Sequence, residues 1–385
     1  MNYIMISPYF PKNLQNFAIK LKENGVNVLG IGSEPYENLT SELRESLTEY
    51  YRVEDMESFE QMTRAVAFLF FKHGKIDRLE SNNEHWLEMD AKLREQFNID
   101  GLKPKDLEKT KYKSEMKKLF QKAGIPVVKG AVIKSEKDLE KALKDLRLPL
   151  VAKPDKGVGA AKTFKLYSLG DVARFKSEWD KEVPYFVEPY VEDAILCTYD
   201  GLLDQEGNII FSSSLAHTIP TLELVLNKED LVYIIEPKVD SKLEKYGKKI
   251  VKAFDMKERF FHIEFFRLKD GSYYAIEYNN RIAGGYATDL YNYSASCDLY
   301  EMYAKVVAGN LPEKVKTDKK FAVGIARRDT NTYKNSPAEI QANFDVKMYD
   351  RVPEILSSIM GDEIFAVVAD SEKEIQRIID FVQEK

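Results

Sequence analysis

Apolar residues near the start of the chain alternate between strand-like runs and helical spacing. Tyr3–Ser7 is a short, largely apolar run typical of a buried strand, and Val26–Ile31 is another, preceded by Gly25. Between them, apolar positions recur at helical spacing, at Leu14, Phe17, Ala18 and Leu21. A later run, Ile76–Ser81, predicts a further strand of the same sheet, followed by a helix. The pattern predicts an α/β domain over residues 1–107.

The middle of the chain changes to shorter elements. One helix is predicted from an apolar face at Tyr112, Met116, Leu119, Phe120 and Ala123. Short strands are predicted at Val127–Ile133, Leu150–Lys153, Phe164–Tyr167 and Tyr185–Val191. Together with this helix and the next one, they predict a small α+β unit. From Ile195 the pattern becomes β-rich, and the end of the chain mixes strands with a helix. The expected divisions after the first domain are 108–192, 193–316 and 317–385.

Composition and charge exclude several classes of protein. A chain of 385 residues exceeds one ordinary core and predicts two or three domains. Its 57 basic residues are scattered among 63 acidic ones, so we expect no nucleic-acid partner. Cys197 and Cys297 are the only cysteines, which disfavours a disulfide-stapled domain or a zinc ribbon. The longest apolar run, Ala65–Phe71, is far shorter than the ~20 residues of a membrane span, and the start lacks a secretory signal. We therefore expect a cytoplasmic protein that does not cross a membrane.

A lysine at the end of one predicted strand leads into a loop with two glycines. Lys153 is followed by Lys156, Gly157 and Gly159 among small residues. Glycines let backbone N–H groups approach phosphate oxygens closely, and a nearby ammonium neutralises their charge. The loop is not the P-loop motif, because no Lys-Ser or Lys-Thr follows its second glycine. It is a candidate phosphate-binding loop, although a hairpin turn with solvated lysines would have the same composition.

The segment from Phe260 to Arg281 predicts a β-hairpin with acidic residues on one face. Two aromatic-rich strands flank Asp270-Gly271, a strong signal for a two-residue turn. With that turn, Glu264 faces Glu277 across the ladder, and strand alternation places both on one face.

Two opposed carboxylates need an explanation, because they lie ~4.5–5.5 Å apart at Cβ and repel each other. Asn279 is on the same face, opposite His262. Two carboxylates and an amide oxygen suit Mg²⁺, with nucleotide phosphates completing the octahedron, and Mn²⁺ is a second candidate. The alternative is a solvated face that screens the repulsion, which the apolar neighbours disfavour. The pattern thus predicts a metal site at Glu264, Glu277 and Asn279.

These motifs resemble those of the ATP-grasp superfamily, in the same order, over about residues 109–300. The hairpin set followed by Arg281 is similar to its metal-binding pattern, and Lys153 with the glycine loop is similar to its phosphate-binding segment. The resemblance implies an ATP-grasp fold with an N-terminal Rossmann-like α/β domain, a small α+β lid and a C-terminal β-rich α+β domain. It also implies ATP and Mg²⁺ as cofactors and makes Arg281 and Lys153 the expected catalytic residues.

The resemblance extends to further nucleotide contacts. The segment Phe186–Glu192 resembles the adenine hinge of the family and implies contacts from Glu188, Tyr190, Val191 and Glu192. The usual Gly-x-Glu after the hinge is absent, so the ribose acid is Glu188, Glu192 or Asp193, and we favour Glu192. An earlier phosphate lysine of the family falls on Lys113, with Lys111 as the alternative.

The residues after Arg281 bear on the substrate. Gly284-Gly285 there is similar to the amino-acid and peptide ligases of the superfamily, and the Glu-His-Pro stretch of biotin carboxylases is missing. Glu84 follows a predicted strand end, where open α/β sheets bind ligands, so we treat it as a substrate candidate with Gly284 and Gly285. Glu84 could equally be a first-turn helix acid. His217 and His262 are not assigned to catalysis.

The resemblance implies a carboxylate–amine ligase that forms an acyl phosphate and releases ADP and phosphate. Its expected partners are a small-molecule carboxylate and an amine, and a homodimer is also considered. The alternatives are a biotin-carboxylase-like enzyme, another ATP-grasp carboxylate kinase, or a module that binds ATP without turnover.

Overall fold

The structure, a computed structural model, describes residues 1–157, 162–219, 229–310 and 319–385. Gly159 of the predicted phosphate loop lies outside these residues.

The N-terminal part is a parallel sheet with helices. Its elements are β1 (Asn2–Ile6), α1 (Gln15–Glu23), β2 (Asn27–Gly32), α2 (Ser41–Ser46), β3 (Glu49–Arg52), α3 (Phe59–His73), β4 (Arg78–Glu80) and α4 (Leu87–Gln96). The strands run in the order β3-β2-β1-β4, all parallel. Tyr3, Ile4 and Met5 of β1 are fully buried, as expected of a strand covered on both faces. The predicted β-α-β opening and later strand are confirmed.

Two helices lead into a small antiparallel sheet that carries helices on one side. The elements are α5 (Pro104–Lys111), α6 (Lys113–Lys122), β5 (Ala131–Ile133), α7 (Glu136–Leu146), β6 (Leu150–Pro154), β7 (Phe164–Leu166), α8 (Leu169–Glu178) and β8 (Tyr185–Pro189). The strand order is β5-β8-β6-β7. Leu150, Ala152 and Val187 pack one face against α7 and α8. Because side chains alternate along a strand, Lys153 and Glu188 lie on the opposite face, here called the cleft face. The predicted α+β unit is confirmed.

The remaining strands form one extended sheet. Its elements are β9 (Ile195–Leu203), β10 (Ile209–Ser213), β11 (Leu215–His217), β12 (Val232–Ile235), α9 (Ser241–Phe254), β13 (Phe260–Arg267), β14 (Tyr273–Asn279), α10 (Ala287–Ala295), α11 (Leu299–Val307), β15 (Phe321–Arg327), α12 (Pro337–Asn343), β16 (Val346–Arg351), α13 (Glu354–Met360), β17 (Glu363–Ala369) and α14 (Glu372–Val382). The order is β14-β13-β9-β11-β12-β15-β17-β16, with β10 against β9. The strands after residue 317 therefore continue the sheet of the preceding segment, and the division expected there remains a prediction.

Helices α6 and α9 cover one face of the β13–β14 end of this sheet. Met116 and Phe120 from α6 and Phe254 from α9 pack against Phe265 and Tyr278. The opposite face of the hairpin therefore carries Glu264 and Glu277 away from that core. In the described ranges, no helix is long and apolar enough to cross a membrane.

Candidate active site

The hairpin turn differs from the predicted two-residue Asp270-Gly271 turn. The Leu268 N–H donates to the Ser272 carbonyl over 2.9 Å, which leaves three residues, 269–271, in the turn. Gly271 has a φ of 75°, the left-handed conformation that such a turn requires at its third residue. The two-residue turn was therefore wrong, because the dipeptide signal does not distinguish a two-residue from a three-residue connection.

The pairing of the acids is nevertheless the predicted one. With a three-residue turn and a regular ladder, Glu264 would face Ile276. A β-bulge between Ala275 and Glu277 takes up Ile276 as an extra residue, and Glu264 pairs with Glu277. His262 pairs with Asn279, also as predicted. Two departures from the regular hairpin thus cancel at the acids.

The two acids have opposite electrostatic surroundings. Burial raises the pKa of Glu277, the Lys113 ammonium opposes this, and repulsion from Glu264 adds to it. Burial also works against ionisation of Glu264, but a hydrogen bond from His262 outweighs it and holds the pKa of Glu264 below its usual range. The His262 Nε2 lies 3.2 Å from Glu264 Oε1. Glu264 is therefore the better stabilised anion, and Glu277 is short of positive charge.

His262 supports this arrangement from behind. Its Nδ1 lies 2.6 Å from an Asp200 oxygen. Burial alone would lower the pKa of His262, but the Asp200 carboxylate raises it to about 9. The other buried histidine of this sheet, His217, has its pKa lowered to about 4 by burial. Of the two unassigned histidines, His262 is thus the one that contacts an acid of the predicted metal site.

The hairpin donors fit a hard divalent cation. Carboxylate and amide oxygens are the ligand types that Mg²⁺ prefers. Asn279 is 4% exposed, and no hydrogen bond to its side chain is formed within the described part of the chain. Among the described residues, Glu277 forms one ion pair, with Lys113, whose Nζ is 3.5 Å from its Oε1. The Asn279 amide oxygen and the Glu277 carboxylate therefore lie on the same face of the hairpin, with lone pairs that could bind a cation.

Lys113 joins the phosphate loop to the hairpin. Its Nζ donates to the Gly157 carbonyl over 3.0 Å and lies 3.5 Å from Glu277. Asp155 fixes this position, because its carboxylate accepts bonds from the Ser114 N–H and hydroxyl over 2.9 and 2.8 Å. The Lys111 Nζ instead lies 3.5 Å from the Glu84 carbonyl. The geometry favours Lys113 over Lys111 as the phosphate lysine.

Glu188 lies between two lysines on the cleft face. The Lys153 Nζ is 2.7 Å from Glu188 Oε1, and the Lys117 ammonium contacts Oε2. Burial would raise the pKa of Glu188, but Lys153 and then Lys117 hold it below its usual range. Lys117 was not predicted as a site residue. The available signal was its position one helical turn after Lys113, on the same face of α6.

The three candidate ribose acids differ in their partners. Glu188 is held by the two lysines, and Asp193 pairs with Lys269 over 2.7 Å. Glu192 is exposed and forms no ion pair with any residue in the described ranges. Beside it, the Tyr190 ring lies 4.8 Å from the Lys165 Nζ, and Val191 is half-buried. Glu192 is therefore the candidate most available to a ligand.

Arg281 and Glu84 meet at the edge of the site. The Arg281 Nε donates to the Glu84 carboxylate over 2.9 Å, and a second guanidinium nitrogen contacts the same oxygen. Lys156 pairs with Glu88 of α4 over 2.9 Å, so it points towards that helix. A cavity of about 330 Å³ lies between these pairs, lined in part by Glu84, Trp86 and Gly157.

Gly284 and Gly285 follow Arg281 at this edge. The Gly285 carbonyl accepts a bond from Asn13 over 3.0 Å, and a Cβ there would lie 2.4 Å from Met360 Cε. No side-chain atom could be added at Gly285 without moving that neighbour, whereas Gly284 faces open space.

Comparisons with known proteins identify a domain family and several relatives. The model of the ATP-grasp domain family matches residues 167–289. An L-arginine-specific L-amino acid ligase of Bacillus subtilis is 23% identical over 323 residues, which is 78% of this chain and 74% of that protein. The C-terminal section of the carbamoyl phosphate synthase large chain of Methanopyrus kandleri is 24% identical over 120 residues, covering 30% of this chain and only 22% of that protein.

The fold is also that of a solved enzyme. The crystal structure of an L-amino acid ligase from Bacillus licheniformis superposes with a TM-score of 0.73 at 18% identity, covering 98% of this chain and 95% of that one. At such identity the likeness shows the fold alone. The family match is confined to residues 167–289, which form an ATP-grasp domain.

Proposed function

We propose that the chain is an ATP- and Mg²⁺-dependent carboxylate–amine ligase that works through an acyl phosphate and releases ADP and phosphate. The observation that supports this most is the position of Lys113, 3.0 Å from the phosphate-loop carbonyl and 3.5 Å from Glu277. One ammonium thus joins the candidate phosphate loop to the candidate metal acids, at the place where a terminal phosphate needs its charge neutralised.

The chain's own residues suit the first half-reaction. Lys113 and Lys153 would neutralise phosphate oxygens, and Arg281 would bind the acid substrate, since its guanidinium already binds a carboxylate in Glu84. A Mg²⁺ ion held by Glu264, Glu277 and Asn279 would supply further charge neutralisation at the terminal phosphates. A substrate carboxylate oxygen attacks the γ-phosphorus, and the bond to the bridging oxygen breaks to leave ADP.

The second half-reaction forms the product. The amine attacks the acyl carbon, the bond to the phosphate oxygen breaks, and inorganic phosphate leaves as the amine loses a proton. The cavity between Glu84 and Gly157 lies beside Arg281's partner and is large enough for a small amine or acid. The Gly284-Gly285 segment and the two amino-acid ligase relatives favour amino acids or short peptides as the first acids to test.

A hydroxylamine trap tests the reaction class. The protein is incubated with ATP, Mg²⁺ and hydroxylamine against a panel of amino acids and short peptides, and nucleotides and hydroxamates are measured by mass spectrometry. We expect ADP together with a hydroxamate of one or more acids. AMP as the main product would contradict the acyl-phosphate route, and ADP without any hydroxamate would identify a kinase or an idle ATPase instead.

A further inference from the structure

Lys117 is a buried lysine of the cleft that has no role in the proposed reaction as described above. Its side chain is 7% exposed, and its Nζ contacts Glu188 and donates to the Val128 carbonyl over 3.0 Å. The Phe186 ring lies 5.3 Å from the same nitrogen. Lys117 therefore joins α6 to the cleft face of the lid sheet.

The pairing at Glu188 divides one negative charge between two lysines. Lys153 takes Oε1 and Lys117 takes Oε2, and the three side chains are 15%, 7% and 5% exposed for Lys153, Lys117 and Glu188. Charges so shielded from water interact strongly. The way in which the Glu188 charge is divided between the two lysines therefore affects how strongly each ammonium can bind another anion. The three groups together carry a surplus of one positive charge.

Without Lys117, the net positive charge around Lys153 would be lost. Glu188 would then have one cationic partner and would neutralise Lys153, the lysine expected to bind phosphate. A phosphate oxygen would have to compete with a full carboxylate for that ammonium. Among the described residues, the other charges that act most on Lys153 are the acids Glu277 and Glu264, which cannot replace Lys117.

We infer that Lys117 is a positioning residue for nucleotide binding, which keeps the Lys153 ammonium available to phosphate by occupying one oxygen of Glu188. The inference rests on the proposed function, because it assumes that Lys153 meets a phosphate. It names an electrostatic partner and not a phosphate ligand: Lys117 acts through Glu188.

The test is the binding of Mg·ADP and of adenosine to Lys117→Met by calorimetry. We expect Mg·ADP to bind about tenfold more weakly, as for the loss of one charge-assisted hydrogen bond, and adenosine to bind as in the wild type. Lys118→Met is the matched control, because Lys118 is the next residue of α6 and its side chain is 63% exposed. Equal losses for ADP and adenosine, or no loss for ADP, would overturn the inference.

A double variant separates indirect from direct action. In Lys117→Met/Glu188→Gln no carboxylate competes for Lys153, so Mg·ADP affinity should return to within about threefold of the wild type. A double variant as weak as Lys117→Met would overturn the inference. Failure of the wild-type protein to bind Mg·ADP would instead refute the proposed function.

Discussion

Two carboxylates of the same cleft have different amounts of positive charge around them. Glu188, on the lid, has one lysine at each oxygen. Glu277, on the hairpin, has Lys113 at 3.5 Å and Glu264 directly opposite. The Glu188 carboxylate is fully neutralised by its protein neighbours, whereas the hairpin acids carry more negative charge than their protein neighbours neutralise. The contrast suggests that Glu188 stabilises the fold, whereas Glu277 binds a cation.

The largest expected effect follows from removing charge at the hairpin. Glu277→Gln should lower ATP turnover by at least about 100-fold, because a neutral amide holds Mg²⁺ poorly beside the terminal phosphates. ADP release at saturating Mg²⁺ measures this, with the exposed Glu372→Gln as the control. Full turnover in Glu277→Gln would refute the metal assignment.

The same substitution on the lid should affect stability instead. Glu188→Gln leaves two buried lysines without a carboxylate and should lower the free energy of unfolding by about 3 kcal/mol. Glu277→Gln relieves a repulsion and should change it by less than about 1 kcal/mol. Urea unfolding of the two variants, without nucleotide or metal, compares them directly. Equal costs would mean that the two acids do not differ in the way described here.

A smaller effect should appear when metal is removed. ADP with Mg²⁺ should raise the unfolding temperature by ~5 °C, because a ligand that binds only the folded state stabilises it by mass action. Chelation of Mg²⁺ should abolish most of this shift in the wild type. In Glu277→Gln the shift should be small with or without chelator. If the chelator left the wild-type shift in unfolding temperature unchanged, nucleotide binding would not depend on a metal held by the hairpin acids.

The sequence predicted those features that depend on local alternation. Strand periodicity placed Glu264 and Glu277 on one face, but their pairing was predicted correctly only because the longer turn and the bulge compensate each other. The three-residue turn could not be distinguished, because Ile276 fits a regular strand as well as a bulge. Lys117 was missed for a different reason: its partner, Glu188, is 71 residues away, and only the docking of α6 against the lid brings them together. The sequence did not decide which acid binds the ribose, because Lys269, the ion-pair partner of Asp193, lies in a turn far away along the chain.

The bulge at Ile276 also separates the tip of the hairpin from its base. A two-residue turn with a regular ladder and a three-residue turn with a bulge give the same pairing of Glu264 with Glu277. A one-residue change in the length of the tip can therefore be absorbed at the bulge and need not reach the acids. A tip shortened by one residue in a loop-grafting experiment should therefore leave Glu264 opposite Glu277 if the bulge is lost at the same time.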